Sequence, residues 1–473
     1  MSEFNLIAHG TDSYKGSHWN LYPPGTEIVY SYCEPRKGAR FGPTTFFGLQ
    51  YILKKYLTGQ VVTREKIEEA AKLYAAHFGN DKIFNREGWE YILSAYGGLL
   101  PVRINAIPEG TSVKTGTCLF TIENTDRKVP WLTNYLETLL MQVWSPITVC
   151  TSSRQIKDII SGYLDLTGDS AGLSFKLHDF GYRGVSSVET AALAGAAHLV
   201  NFKGTDTMAA LALVRDYYHE PMAGYSIPAT EHSVMTAEGP EGEVNIVRRI
   251  LATYPTGLVA MVIDSFDTFN FIENVIGGNP DILSAIRNRQ GTVVFRPDSG
   301  KLPGIDLDVF HSLAKVFGVE RNSKGFDVLP SQVRMIQGDG IKWLEPRFNE
   351  DSHHSVSDIL ELFHTNKISA DNIAFGSGGG LLQSFNRDTQ RFAIKCSWMQ
   401  VNGQPRDVYK QPSTDKDKTS KRGRLVVIQD DDGSIYTLPE GSGGKNILEE
   451  VFMNGYLVRD QTFEDIRERA TLC

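Results

Sequence analysis

Between residues 148 and 383 the chain alternates two textures. Short runs that are apolar throughout, at residues 258–263, 292–295, 333–336 and 373–375, are separated by stretches of helical periodicity, and each run ends in a glycine- or acid-rich turn. Strands with no polar face belong in a parallel sheet covered on both sides. Strand–loop–helix repetition over this length predicts an irregular TIM-like α/β barrel. The flanks read differently. Residues 27–33 alternate like a half-buried strand, residues 101–107 and 118–122 are strand-like, and residues 63–77 carry a Thr cap, early acids and helical spacing. Residues 134–144 read as an apolar helix closed by Pro146. Near the end, residues 424–429 and 434–438 flank Asp430-Asp-Asp-Gly433, which predicts a hairpin. The expected division is a discontinuous α+β domain with an antiparallel sheet from residues 1–147 and 390–473, around a barrel domain at 148–389.

The charged motifs fall where the apolar runs end. They are Lys176-Leu-His-Asp-Phe-Gly-Tyr-Arg-Gly-Val-Ser-Ser187, Lys203-Gly-Thr-Asp206, Pro228-Ala-Thr-Glu-His232, Phe295-Arg-Pro-Asp-Ser-Gly300, Gln337-Gly-Asp-Gly340 and Phe375-Gly-Ser-Gly-Gly-Gly-Leu-Leu-Gln383. Loops at the carboxyl ends of successive barrel strands build active sites in this way. The glycines at 376 and 378–380 let backbone N–H groups approach a phosphate, and Arg387 would add a bidentate donor. The alternatives are a flexible turn and an exposed helix arginine. Asp298 could accept ribose hydroxyls or face a developing cation, or could simply pair with Arg296. Gly338 and Asp339 make the same offer, against a plain turn. His232 beside Glu231 is a candidate catalyst, although a lone histidine is more often a packing or surface residue. Asp264 ends another apolar run and is read as an indirect metal or ribose contact, or a helix cap. His178 and Asp179 read as bracing for their loop. The segment at 426–434 superficially resembles a diphosphate loop, but a strand follows it instead of a helix. His353-His354 lacks metal-ligand spacing.

Composition narrows the class. The chain has 473 residues, 41% hydrophobic and 22% charged, as in a soluble globular enzyme of more than one domain. With 48 Lys+Arg against 56 Asp+Glu the net charge is −8, which argues against nucleic acid as the main partner. Five scattered cysteines with no CxxC pair read as reduced thiols rather than a zinc site or disulfide frame. Neither a signal peptide nor a run long enough to span a bilayer is seen, so a cytoplasmic location is expected.

Taken together, the motifs carry a resemblance. Thr11-Asp-Ser-Tyr-Lys15, Tyr22-Pro-Pro24, the segments from Lys176 to Gln383 quoted above and Lys421-Arg-Gly-Arg-Leu425 resemble, in the same order, the nicotinamide phosphoribosyltransferase family of type II phosphoribosyltransferases. The resemblance implies a homodimer with active sites at the subunit interface. It implies transfer of phosphoribose from phosphoribosyl pyrophosphate (PRPP) to nicotinamide, with Mg²⁺, in NAD salvage. It also implies ATP as co-substrate, through phosphorylation of His232. Phe180 would stack on one face of the pyridine and Tyr14 of the second subunit on the other. Asp206 would accept from the carboxamide nitrogen, with Arg183 beside ring and phosphates. Arg296 would hold carboxamide oxygen or phosphate, and Asp298, Gly338 and Asp339 the ribose. Gly378, Gly379 and Arg387 would bind the 5′-phosphate, and Arg36, Lys395 and Lys410 phosphate groups from the second subunit. Ala260 and Ser384 stand where animal members carry a tunnel serine and a lysine. Residues 341–371 match poorly and read as a surface elaboration. Two other readings are a nicotinate-using enzyme on the same fold, against which Asp206 weighs, and an inactive nucleotide-binding relative, against which the intact His232, Arg296, Asp298 and glycine turn weigh.

Overall fold

The computed structural model describes residues 4–338, 340–341, 356–414 and 419–472. The chain divides into two compact units. One holds residues 1–151, 214–220 and 385–473, the other residues 152–213 and 221–384.

The second unit is built on six parallel strands. They are β1 (Leu177–Asp179), β2 (Gly204–Thr205), β3 (Gly257–Val262), β4 (Gly291–Arg296), β5 (Val333–Gln337) and β6 (Ile373–Ser377), in the spatial order β2-β1-β6-β5-β4-β3. The interior positions are apolar: Val259, Met261, Val293, Phe295, Val333, Met335 and Phe375 are all buried. A seventh, irregular segment closes the ring. Tyr225 bridges Gly204 of β2, and Ala229 bridges Ala260 of β3, both in parallel sense. Thr205 donates to the Tyr225 carbonyl at 3.0 Å, and Ala260 donates to the Pro228 carbonyl at 2.9 Å. Ala260, where a tunnel serine was noted in animal members, therefore sits buried in the seam of this closure.

The helices that follow the strands bury apolar residues, and one of them begins at a side-chain cap. Val188–Leu199 starts with Ser187, whose side chain accepts from the Thr190 N–H at 3.1 Å, and it buries nearly all its small residues. Gly304–Phe317 buries Val309, Phe310, Leu313 and Phe317. Val356–Thr365 buries Val356, Ile359, Leu360 and Phe363, and Phe363 lies 6.0 Å from the Phe310 ring. Residues 356–371 are thus part of the barrel wall and not a surface elaboration. Their mismatch in sequence hid an apolar face that packs normally. His353-His354 and Asp339 lie outside the described residues.

The first unit holds a seven-stranded antiparallel sheet. Its order is Gln404–Asp407, Ala393–Val401, Thr26–Glu34, Phe120–Asn124, Val102–Ala106, Glu449–Met453, Tyr456–Leu457. N- and C-terminal strands therefore interleave in one sheet. The expected hairpin forms, with Leu425–Gln429 against Ile435–Pro439. The helix Arg64–Phe78 starts at Thr63, whose hydroxyl accepts from the Lys66 N–H at 3.3 Å. Two expectations need correction. Residues 132–141 form two short helices, and Pro146 does not end a helix but lies in the first turn of Trp144–Thr167, where its missing N–H costs nothing. Residues 214–220, expected with the barrel, belong to the first unit. Tyr218 stacks on Phe47 there at 5.2 Å and donates to Glu109 at 3.1 Å.

The β3–β4 pair depends on one glycine. Gly291 has φ +140°, and a Cβ on it would lie 2.0 Å from the Gly257 carbonyl oxygen. Gly291→Ala is expected to lower the thermal midpoint by roughly 5 °C, whereas Gly304→Ala, whose Cβ would meet nothing within 4 Å, leaves it unchanged. Calorimetry of both variants checks this.

Candidate functional site

The carboxyl ends of the barrel strands converge on a cavity of about 950 Å³. Phe180, Arg183 and Gly184 follow β1, Asp206 follows β2, Arg296 ends β4 and is followed by Asp298, Gly338 follows β5, and Gly378 and Gly379 follow β6. All lie within the barrel unit.

Phe180 is held as a platform. Its N–H donates to the Ser377 carbonyl at 2.9 Å, and its ring lies against the backbone of Gly376, where a Cβ would fall 2.0 Å from Cε2. Glycine at 376 therefore serves the ring rather than a phosphate. The Arg296 guanidinium sits 5.6 Å from the centre of the same ring. Its buried Nε has no hydrogen-bond partner and approaches Asp298 Oδ1 only to 3.9 Å. Gly338 is required by the same pair, since a Cβ there would lie 2.6 Å from Asp298 Oδ1.

Asp206 faces the cavity with its side chain 46% exposed, backed by His178 at 13%. The distance from His178 Nε2 to Asp206 Oδ1 is 3.0 Å, and Ser226 Oγ donates to the same oxygen. Burial pushes the Asp206 carboxyl up, but the His178 bond and charge, the Ser226 hydroxyl and the Arg296 charge outweigh it and hold the group below its ordinary value. Asp179 behaves oppositely. It is fully buried, burial raises it, and it accepts from the Gly181 N–H at 2.7 Å, which braces the turn after β1 as the sequence implied.

His232 stands at the end of the closing segment. Its Nε2 lies 3.2 Å from Asp264 Oδ1, and its Nδ1 lies 4.0 Å from Asp298 Oδ2. Asp264, only 6% exposed, also accepts from the Asp298 N–H at 3.1 Å and from the Ser299 hydroxyl at 2.5 Å. Asp264 therefore braces His232 and the 298–299 turn together; it is no helix cap. A carboxylate can only accept, so Nε2 donates in the contact with Asp264.

The glycine turn is tightly packed against the β1 loop. A Cβ on Gly184 would lie 2.8 Å from the Gly379 nitrogen, and one on Gly379 3.1 Å from the Gly184 oxygen. Ser384 donates to the Gly379 carbonyl at 3.1 Å, and Gln383 accepts from the Ser186 N–H at 3.1 Å. Among the described residues no group of three or more His, Cys, Asp and Glu side chains is placed to hold a metal on its own.

The remaining predicted residues lie in the first unit. Tyr14 is 56% exposed. Burial pushes the Lys395 ammonium down; Glu137 opposes this, and the charges of Arg36, Lys410 and Arg387 reinforce it. These four cations thus share one neighbourhood of that unit. The sequence reading gave His178 no more than a bracing role in its loop and did not single out Ser226. Gly204, quoted in the motif of Asp206, makes room for His178, since a Cβ there would lie 2.7 Å from His178 Nδ1.

Known proteins match this arrangement along the whole chain. The family model described as nicotinate phosphoribosyltransferase (NAPRTase) matches residues 175–464, and that of the nicotinamide phosphoribosyltransferase N-terminal domain matches residues 6–104. A nicotinamide phosphoribosyltransferase of Xanthomonas campestris pv. campestris (strain 8004) is 46% identical over 98% of both chains. One of Acinetobacter baylyi is 32% identical, over 97% of this chain and 95% of its own. The solved nicotinate-nucleotide pyrophosphorylase of Pyrococcus furiosus superposes with TM-score 0.61 at 15% identity, covering 100% of this chain and 96% of that one. Human nicotinic acid phosphoribosyltransferase gives 0.56 at 14%, covering 98% and 93%. At such low identity the two structures speak for the fold alone, while the family match and the 46% relative speak for descent: the chain belongs to the nicotinate phosphoribosyltransferase family.

Proposed function

We propose that the chain is a nicotinamide phosphoribosyltransferase, joining nicotinamide to the phosphoribosyl group of PRPP to give nicotinamide mononucleotide and pyrophosphate in NAD salvage. The observation that carries the reading is Asp206, an ionised carboxylate facing the same cavity as the Phe180 platform, with both protein donors on one oxygen. The free oxygen can accept from a carboxamide NH₂. The carboxylate of nicotinate would be repelled there.

The pyridine nitrogen is already a nucleophile, so no base is needed. Its lone pair forms the bond to ribose C1 as the C1–oxygen bond breaks and pyrophosphate leaves with the electron pair. The barrier lies in the cation-like sugar. Asp298 lies where it can face that charge, held by its N–H on Asp264. Phe180 and Asp206 fix the ring so that its nitrogen points at C1. Arg296, and Arg183 at the cavity edge, offer cationic donors to carboxamide oxygen or phosphate, and the Gly378–Gly379 backbone offers N–H groups to the 5′-phosphate. The donor set suits Mg²⁺, which is held by one or two carboxylates plus substrate phosphates; Asp298 is the side chain that would meet it, and it would neutralise charge on the departing pyrophosphate.

ATP fits His232. With Nε2–H fixed on Asp264, Nδ1 can take the γ-phosphoryl group while ADP leaves. The basic neighbourhood of Arg36, Lys395 and Lys410 offers phosphate contacts, and Tyr14 an exposed ring, to the site of a second subunit in a homodimer. A nicotinate-using enzyme is the second reading; the Arg296 guanidinium at the cavity beside Phe180 favours it, because a cation there could pair with a carboxylate.

Product formation from PRPP and Mg²⁺ with each pyridine, with and without ATP, tests the assignment. Nicotinamide alone should react, and ATP should raise the yield; a preference for nicotinate would move the chain to the second reading. Asp206→Asn is expected to lower kcat/KM for nicotinamide about tenfold and to raise nicotinate use, read from the two rates side by side. Gly376→Ala should raise the nicotinamide KM by roughly tenfold or more by displacing the Phe180 ring, checked by steady-state kinetics with circular dichroism as the folding control. His232→Ala should abolish ATP stimulation and acid-labile, alkali-stable labelling from γ-³²P ATP; labelling that persists would exclude His232 as the acceptor.

A further inference from the structure

The mechanism uses the Asp206 carboxylate but leaves open what makes it a selective acceptor. Both of its protein donors converge on Oδ1, and one of them, His178, is not part of the cavity lining. We propose that His178 is a positioning residue that decides which pyridine the site accepts, by gripping one oxygen of Asp206 from behind and presenting the other to the ring substituent. The proposal rests on the nicotinamide reading of the cavity and deepens it.

The geometry is set by strand pairing. His178 of β1 pairs with Gly204 of β2, two residues before Asp206. Because Gly204 has no side chain, the imidazole can lie across the neighbouring strand; a Cβ would come within 2.7 Å of Nδ1 and 3.2 Å of Cγ. Phe180 holds the ring from the other side, with centroids 4.9 Å apart at 46°. Pinned between these neighbours, the imidazole directs Nε2–H at Asp206 Oδ1 over 3.0 Å. The donor is largely buried and the carboxylate half-exposed, so the pair is oriented from wall to cavity. Ser226, on the closing segment, adds its hydroxyl to the same oxygen. The aspartate rotamer is thereby fixed by two different parts of the ring, and Oδ2 is left to read the ligand.

The charge follows from the same contacts. Burial alone would favour a protonated Asp206, which could donate to a carboxylate and so admit nicotinate; His178 is the largest influence against this. The other charged groups nearby are Arg296, which also favours the ionised form, and Asp179 next to His178. Lys176, Arg334 and Asp371 line an adjoining apolar chamber that His178 also borders.

The test compares His178→Ala, His178→Gln and Ser226→Ala with the wild type, measuring kcat and KM for nicotinamide and nicotinate from about pH 3 to about pH 7, a range that takes in an aspartate held below its ordinary value of about 3.9 and one raised above it. In His178→Ala the nicotinamide KM should rise about tenfold with a smaller change in kcat. The acid limb of its kcat/KM should move up by about one pH unit, and the nicotinamide-to-nicotinate ratio should fall about tenfold. His178→Gln, which keeps an N–H donor, should restore most of the preference. Ser226→Ala, a small change at an exposed residue, should shift all three quantities in the same direction by about threefold or less. Unchanged selectivity and acid limb in both His178→Ala and Ser226→Ala, beside a wild type that prefers nicotinamide, would overturn the role of His178. If His178→Ala does not fold, His178→Asn, whose shorter side chain cannot span the same distance, takes its place, and unchanged selectivity and acid limb there overturn the role. A wild type that prefers nicotinate would instead overturn the proposed function.

Discussion

Ring closure is the constraint on which the site depends. Six short parallel strands would leave an open, curled sheet with two raw edges. The irregular segment from Tyr225 to Thr230 joins them, pairing with β2 at one end and β3 at the other. Closure does more than satisfy edge N–H groups. It brings Ser226 to Asp206 and carries His232 to Asp264. Two functional clusters thus hang from the one segment that has no regular strand of its own.

Close approach is the second theme, and glycine makes it possible. Gly376 admits the Phe180 ring, Gly204 the His178 ring, Gly338 the Arg296–Asp298 pair, and Gly184 and Gly379 each other. In each case the missing Cβ is replaced by a functional side chain or backbone group of a neighbouring strand end. The site is therefore preorganised by packing rather than by a ligand. Electrostatics follow from this. Asp179 and Asp206 stand at the ends of neighbouring strands, yet burial wins at Asp179 and loses at Asp206, because Asp206 is the more exposed and has the hydrogen bonds of His178 and Ser226 and the charge of Arg296, whereas His178 acts on Asp179 through its charge alone.

Much of this was legible in the chain. Apolar runs ending in charged turns gave the parallel barrel and located its working face. Asp206, Arg296, Asp298, His232 and the glycine turn could be singled out because glycine or proline beside a charge at a strand end has few purely structural uses. The hairpin at 425–439 and the cap at Thr63 were equally readable, since both depend on neighbours in sequence. Pro146 misled for a local reason: one residue cannot tell the end of a helix from the first turn of the next. Residues 356–371 misled because resemblance was weighed above their own apolar periodicity.

By itself, then, the sequence determined the strand–helix alternation, the chemistry offered at the strand ends and the kinship of the chain, because these reside in local pattern and residue identity. Tertiary structure alone decided which carboxylate is held ionised, that His178 backs it, that Asp264 braces His232, and that Gly376 makes room for an aromatic ring. Those are contacts between segments 28 to 196 residues apart. No spacing rule encodes them, because strand order in the ring, and not order along the chain, sets who meets whom.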